Sequence, residues 1–228
     1  GHAVADVVEE KMGSDHLTRK HLGNVQYEEV SFKCGTGMSK GVYDWIKTGF
    51  DQTSNNRGRE NGAVLFADYD QAEIARLTFQ HALISEYTMP ALDASSKDAA
   101  MMTIKFKPET ARKEKGKGSK ITMPANAAAQ KKWLPSNFKL EIDGLNCDRV
   151  SKIEALTVKQ KIVVDSVGQR REYELVPANV AIPNLEITVS EAMADDFYKW
   201  HEDFVIMGRC DEKYEKRGSL FYLAPDME

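Results

Sequence analysis

The stretch MADDFYKWHEDFV, Met193 to Val205, repeats the pattern of MSKGVYDWIKTGF, Met38 to Phe50, with Met, Tyr and Trp on the same places 155 positions apart. Two amphipathic helices can share such a pattern merely because each buries one face. The echo extends further, however. At the same offset Val8 meets Val163, Gly13 meets Gly168, Val25 meets Val180, Val30 meets Leu185, Phe32 meets Ile187 and Cys34 meets Val189. After one extra residue, ENGAVLFADYD (Glu60 to Asp70) lies over KRGSLFYLAPD (Lys216 to Asp226). A register held over so much of the chain predicts an internal duplication.

Each copy has a physical reading. Val30, Phe32 and Cys34 alternate with Ser31 and Lys33, and Leu185, Ile187 and Val189 repeat that alternation, so each segment is expected to be a half-buried strand. A helix follows, with apolar positions at Met38, Val42 and Trp45 in the first copy and at Met193, Phe197 and Trp200 in the second. The expected repeat core is therefore Val30, Phe32, Met38, Val42 and Trp45, matched by Leu185, Ile187, Met193, Phe197 and Trp200. Asp195 and Asp196 suit the positive end of the later helix. A Gly-bounded strand, AVLFAD or SLFYLA, closes each unit.

Other segments belong to one copy only. FKLEIDG alternates Phe138, Leu140 and Ile142 before an Asp143-Gly144 turn, and ALTVKQKIVV sets Leu156, Val158, Gln160, Ile162 and Val164 on one face. In the first copy, MMTIKFKP alternates Met102, Ile104 and Phe106 with lysines and threonine. ARLTFQHALISEY also fits a helix through Leu77, His81 and Ile84, but its neighbours all read as β, and a strand is expected. The predicted fold is mainly β with one helix per repeat (α+β). It comprises two tandem β-sandwich or barrel domains, 1–111 and 137–228, the first without its opening strand and the second without its last strands. A basic, Ala-rich, solvated linker, 112–136, joins them.

Composition narrows the function. With 42% hydrophobic and 29% charged residues and a formal net charge of −4, the chain reads as an ordinary globular protein. Its longest apolar runs are far short of a membrane span, and its start has no signal-peptide pattern, so a location without membrane attachment is expected. Opening on Gly-His, it reads as a processed chain or a piece of a longer one. Linker residues Arg112, Lys113, Lys115, Lys117, Lys120, Lys131 and Lys132 are basic, but no aromatics are interleaved to stack on bases, so no specific nucleic-acid partner is expected.

No catalytic constellation emerges. His2, His16, His21, His81 and His201 form no HxxxH or HExxH pair, and Cys34, Cys147 and Cys210 are odd in number and lack a CxxC, so neither a metal site nor a disulfide framework is expected. Cys34 precedes a Gly-Thr-Gly turn that could lower a thiol pKa, yet Val189 stands in its place in the other copy, which favours a core side chain. GTGMSK and GKGSK lack phosphate-loop spacing and read as turns. The cluster Asp93, Ser95, Ser96, Lys97 and Asp98 reads as a polar loop and not as an activated serine. The expectation is no catalytic, cofactor-binding or metal residue.

The order of segments resembles the tail-tube protein family of contractile phages and related bacterial injection systems. The residues that carry the resemblance are NFKLEIDG and RVSKIEALTVKQKIV in the second copy, VQYEEVSFKCGTGMSKGVYDWI in the first, and the run from AVLFADYD to MMTIKFKPE. Tyr43, Asp44 and Trp45 match the family's helix signature, and Pro90, Leu92, Asp93, Ala94 and Ser96 match its closing segment. The resemblance implies a structural, non-enzymatic tube or tube-adaptor protein, in a virion tail or the bacterial cytoplasm, forming rings by extending sheets between subunits. The implied partners are itself and other tail, sheath or baseplate proteins. Since the family unit is a single domain and its rings are six-fold, two units per chain imply a trimer with pseudo-six-fold symmetry. The alternative is a tandem β-sandwich binding module that recognises a glycan or peptide through Tyr69, Tyr87 or Tyr222.

Overall fold

The computed structural model describes residues 3–11, 17–35, 38–51, 58–122, 133–165 and 173–223. Most of the alternating segments fold as strands, but Leu185 lies outside the short strand at Ile187–Val189. Val30, Phe32 and Cys34 line the inner face of β3 (Val30–Cys34), and Met102, Ile104 and Phe106 that of β7 (Met102–Lys107), with which β3 pairs antiparallel. ARLTFQHALISEY lies within β5 (Glu73–Met89), a strand of 17 residues. His81, at φ 50°, breaks the extended backbone of β5 where it changes neighbours. Its outer half pairs with β4 (Glu60–Ala67) and β8 (Thr110–Lys115), and its inner half with β7 on one side. Over this sheet lies α1 (Lys40–Gly49), whose Trp45 joins Phe79, Ala82, Ile84, Ile104 and Phe106 in the first core cluster. Met38 precedes that helix instead of sitting in it.

The halves are not two closed sandwiches. β11 (Leu156–Asp165) and β12 (Glu174–Ala181) form a hairpin that attaches to the inner half of β5, giving the order β12-β11-β5-β7-β3 in one seven-stranded sheet with β4 and β8. The two-residue β6 (Leu92–Asp93) crosses the other way and pairs with β10 (Val150–Ile153), which pairs with β13 (Ile187–Val189). A second cluster is accordingly built from both halves: Leu92 and Ala100 pack with Trp133, Leu140, Val150 and Ile153. β9 (Phe138–Ile142) and β14 (Gly218–Tyr222) form the remaining pair of the second half.

The expected linker is corrected at both ends. Arg112, Lys113 and Lys115 lie in β8, registered against Thr78, Leu77 and Ala75, because a strand wet on both faces shows no alternation to read. Trp133 and Pro135 are buried at the start of the second half. The middle of the linker, Gly13, Gly168 and the end of the last repeated segment lie outside the described residues.

Candidate assembly surface

The β1 (Ala3–Lys11) and β2 (Thr18–Tyr27) strands form a two-stranded sheet of their own. Its geometry is that of β11–β12 displaced by 155 positions. Ala5 faces Val25 and Val7 faces Leu22, with a register slip between them; Gln160 faces Val180 and Ile162 faces Pro177, with the slip at the same rung. Further along, Glu10 faces Arg19 and Asp165 faces Glu174, again 155 positions apart. A second correspondence lies at the helices. The Trp45 indole Nε1 donates to the Gly58 carbonyl at 2.6 Å, and the Trp200 Nε1 donates to the Tyr214 carbonyl at 3.2 Å, one residue further on.

What differs is the company each element keeps. Leu156 to Lys159 of β11 run antiparallel to Met89 to Glu86 of β5, with the Thr157 and Thr88 hydroxyls 3.1 Å apart. At the far end of the hairpin the Leu175 backbone is held at both polar groups. Its N–H donates to Glu109 Oε1 at 3.1 Å, and its carbonyl accepts from Arg59 Nη2 at 2.5 Å. Arg59 also lies 3.3 Å from Glu174 Oε1, and His81 Nδ1 lies 2.8 Å from Glu109 Oε2. Among the described residues β1 forms no ladder outside its own hairpin, although Asp6 Oδ2 accepts from the Tyr173 hydroxyl at 3.3 Å, and Val4, Val7, Val8, Leu17 and Leu22 stay exposed.

The second helix is similarly bare. α2 (Asp195–His201) continues into a π turn, Glu202–Ile206, and Trp200 makes an edge contact with Phe204 at 6.4 Å. Phe197 and Trp200 are half-buried and belong to neither core cluster, whereas Trp45 is only 7% exposed. Two expected core residues of the second copy are therefore corrected: Leu185 is 42% and Met193 38% exposed, while Phe197 and Trp200 are half-buried outside the two core clusters. The cause is that no strands equivalent to β5 and β7 pack over α2 among the described residues. Ile187 does pack, against the second cluster, as Val30 and Phe32 do against the first.

The remaining candidates resolve simply. Cys34 packs on the first cluster, and burial pushes its thiol pKa up. Ser95 donates both its N–H and its hydroxyl to Asp93 Oδ1, at 2.8 and 2.6 Å, and these bonds hold the carboxyl below its usual range. Tyr87 and Tyr222 are half-buried and donate to Met102 and Met89 sulfur atoms; of the three tyrosines considered for ligand binding, Tyr69 alone is exposed. Among the described residues there is no group of three or more His, Cys, Asp or Glu placed to hold a metal, and no helix is long and apolar enough to cross a membrane. Sequence reasoning missed Arg59 and Glu109, since nothing local marks a contact between residues more than 60 positions apart.

In the first half, then, one helix lies over a sheet whose β5 accepts a hairpin from the second half. Residues 2–112, just under half of the chain, match the family model described as T4-like virus tail tube protein gp19. No curated protein matches the sequence. Among solved structures, the chain is similar to one from the anti-feeding prophage baseplate, six-fold symmetrised, at 15% identity and TM-score 0.43, covering 51% of this chain and 77% of that one. Another, from the PVC extracellular contractile injection system sheath–tube complex in its extended state, shows 18% identity and TM-score 0.43, with 50% and 76% covered. Hcp1 from Flavobacterium johnsoniae shows 19% identity and TM-score 0.29, with 50% and 85% covered.

Proposed function

We propose that the protein is a tail-tube or tube-adaptor subunit of a phage tail or contractile injection system, built from a duplicated unit and assembling into rings by adding strands across chain borders. The observation that carries this reading is the pair of same-register hairpins: one is docked on a β5 edge, and the other has no ladder beyond itself among the described residues. An unpaired strand edge is a template for another chain, and the docked hairpin offers a pattern for the contact that the β1–β2 hairpin would make with a second copy. The matched bulges and the matched indole bonds support the duplication. Two units per chain then give a trimer of pseudo-six-fold symmetry, because closed cyclic assembly repeats one heterologous contact around the ring. Its partners are further copies and the tail, sheath or baseplate proteins on which such a ring stacks, in a virion tail or the bacterial cytoplasm.

Negative-stain microscopy of the whole chain, paired with multi-angle light scattering, tests this. Rings or stacked tubes with a trimeric mass are expected; a strict monomer at every concentration overturns the reading.

A further inference from the structure

Between β4 and β5 the chain turns through a tight tip, Asp68-Tyr69-Asp70-Gln71, at the outer end of the sheet. The tip is held from within and from the side. The Asp68 carboxylate accepts from the Ala72 N–H at 2.8 Å, the Gln71 N–H donates to the Asp68 carbonyl at 3.1 Å, and Gln71 takes φ 62°. The segment after β8 straps it, since the Ile121 N–H donates to the Gln71 carbonyl at 2.8 Å. On this frame Tyr69 is wholly exposed between two carboxylates, and among the described residues neither Tyr69 nor Asp70 makes a hydrogen bond or ion pair through its side chain. A tyrosine presented on a pre-ordered turn is a low-entropy anchor for a contact.

The same chain carries a cleft of the opposite charge. It lies between α2, the β9–β10 turn and the segment before β14, has a volume of about 220 Å³, and is lined by Trp200 and Tyr214 together with Lys199, Lys213 and Lys216. The Trp200 indole fixes its frame by donating to the Tyr214 carbonyl. Asp196 and Asp203 also line it, but Asp203 is paired with Arg209 at 2.6 Å. Lys216 gives one N–H to the Asp143 carbonyl, Lys213 lies 4.0 Å from Asp211 and 5.0 Å from the Tyr214 ring centre, and Lys199 has no partner among the described residues. The lining is therefore net positive. At the matching positions of the first half Asp44 stands for Lys199 and Glu60 for Lys216, so this charge belongs to the α2 half alone.

We propose that the Asp68–Asp70 tip of one chain seats in the α2 cleft of a second copy, with the Tyr69 ring against Trp200 and Tyr214 and the tip carboxylates facing Lys199, Lys213 and Lys216. This rests on the assembly reading and adds to it a head-to-tail contact. Packed aromatic rings and an ammonium beside a ring both favour the seat. Charge selects it, because the first half would set Asp44 and Glu60 against the same carboxylates, and like charges penalise the wrong site. Tip and cleft are different surfaces of one chain, so the contact is heterologous and repeats from copy to copy.

The test is complementation between two variants of the whole chain: Tyr69→Ala, which keeps the cleft, and Lys199→Glu with Lys213→Glu, which keeps the tip. All three positions are exposed, so far-ultraviolet circular dichroism is expected to be unchanged. In sedimentation velocity at low ionic strength, each variant alone should self-associate about thirtyfold more weakly than the parent. An equimolar mixture should associate about tenfold more tightly than either alone, since each supplies what the other lost. Variants that associate like the parent, or a mixture no tighter than its components, overturn the tip-in-cleft contact and leave the assembly reading standing. A parent chain that stays monomeric at every concentration overturns the assembly reading, and this contact falls with it.

Discussion

Trp45 and Trp200 offer a controlled comparison within one molecule: the same residue type, the same indole-to-carbonyl bond, and different cover. Trp45 is 7% exposed, its ring lies 5.4 Å from that of Phe106, and its indole bond to Gly58 is buried. Replacing it with alanine removes that packing and strands the Gly58 carbonyl, a loss of about 3 to 5 kcal/mol for a buried aromatic truncated to alanine. Trp200 is half-buried, and the ring it meets, Phe204, is 6.4 Å away, so Trp200→Ala should cost about 1 to 2 kcal/mol. Urea unfolding followed by circular dichroism reads both. With an m-value of about 2 kcal/mol per molar, the midpoint should fall about 2 M for Trp45→Ala and less than about 1 M for Trp200→Ala. Equal losses, or a larger one at Trp200, would refute the claim that α2 lacks a roof.

Glu73 is 3% exposed and holds Arg76 through both carboxylate oxygens, at 2.6 and 2.8 Å; these bonds keep its carboxyl below the usual value of 4.5. A depressed folded-state pKa means that its stabilisation is complete above about pH 4.5 and lost as pH falls through the lower folded value. Glu73→Gln should therefore flatten the acid limb of a Tm-against-pH curve below pH 4.5, measured against the parent. Gly58 adopts φ +66°, and a Cβ there would sit 2.5 Å from the Gly49 Cα, so Gly58→Ala should lower stability by more than about 1 kcal/mol in thermal melts, with Gly41→Ala, which has open space around it, close to neutral or stabilising. Glu109→Gln weakens the grip on Leu175 without moving the backbone, and should raise amide exchange in β12 more than in β7.

Legibility followed burial on one face. β3, β7, β9 and β11 each set one side against a core and the other toward water, and their alternation is plain in the sequence. β8 carries charge on both faces, as an edge strand can, and read as linker. The second-copy helix pattern was as clear as the first, yet pattern reports only that a face is apolar; whether anything lies over it depends on strands far along the chain. For the same reason the repeat matched Val8 with Val163 and Val25 with Val180 without showing that each stretch folds as a hairpin, or that one would cross onto the other half's β5. The Arg59, Glu109 and Leu175 contact arises from that crossing, and no window of sequence contains it.

The crossing has a further consequence. Leu92 and Ala100 share a core with Trp133 and Ile153, and β11 is laced to β5, so the continuity of the polypeptide is not what keeps the halves together. A chain severed between β8 and β9 should survive as a nicked complex, and the two fragments, made separately, should find each other in solution and complement as a split protein does.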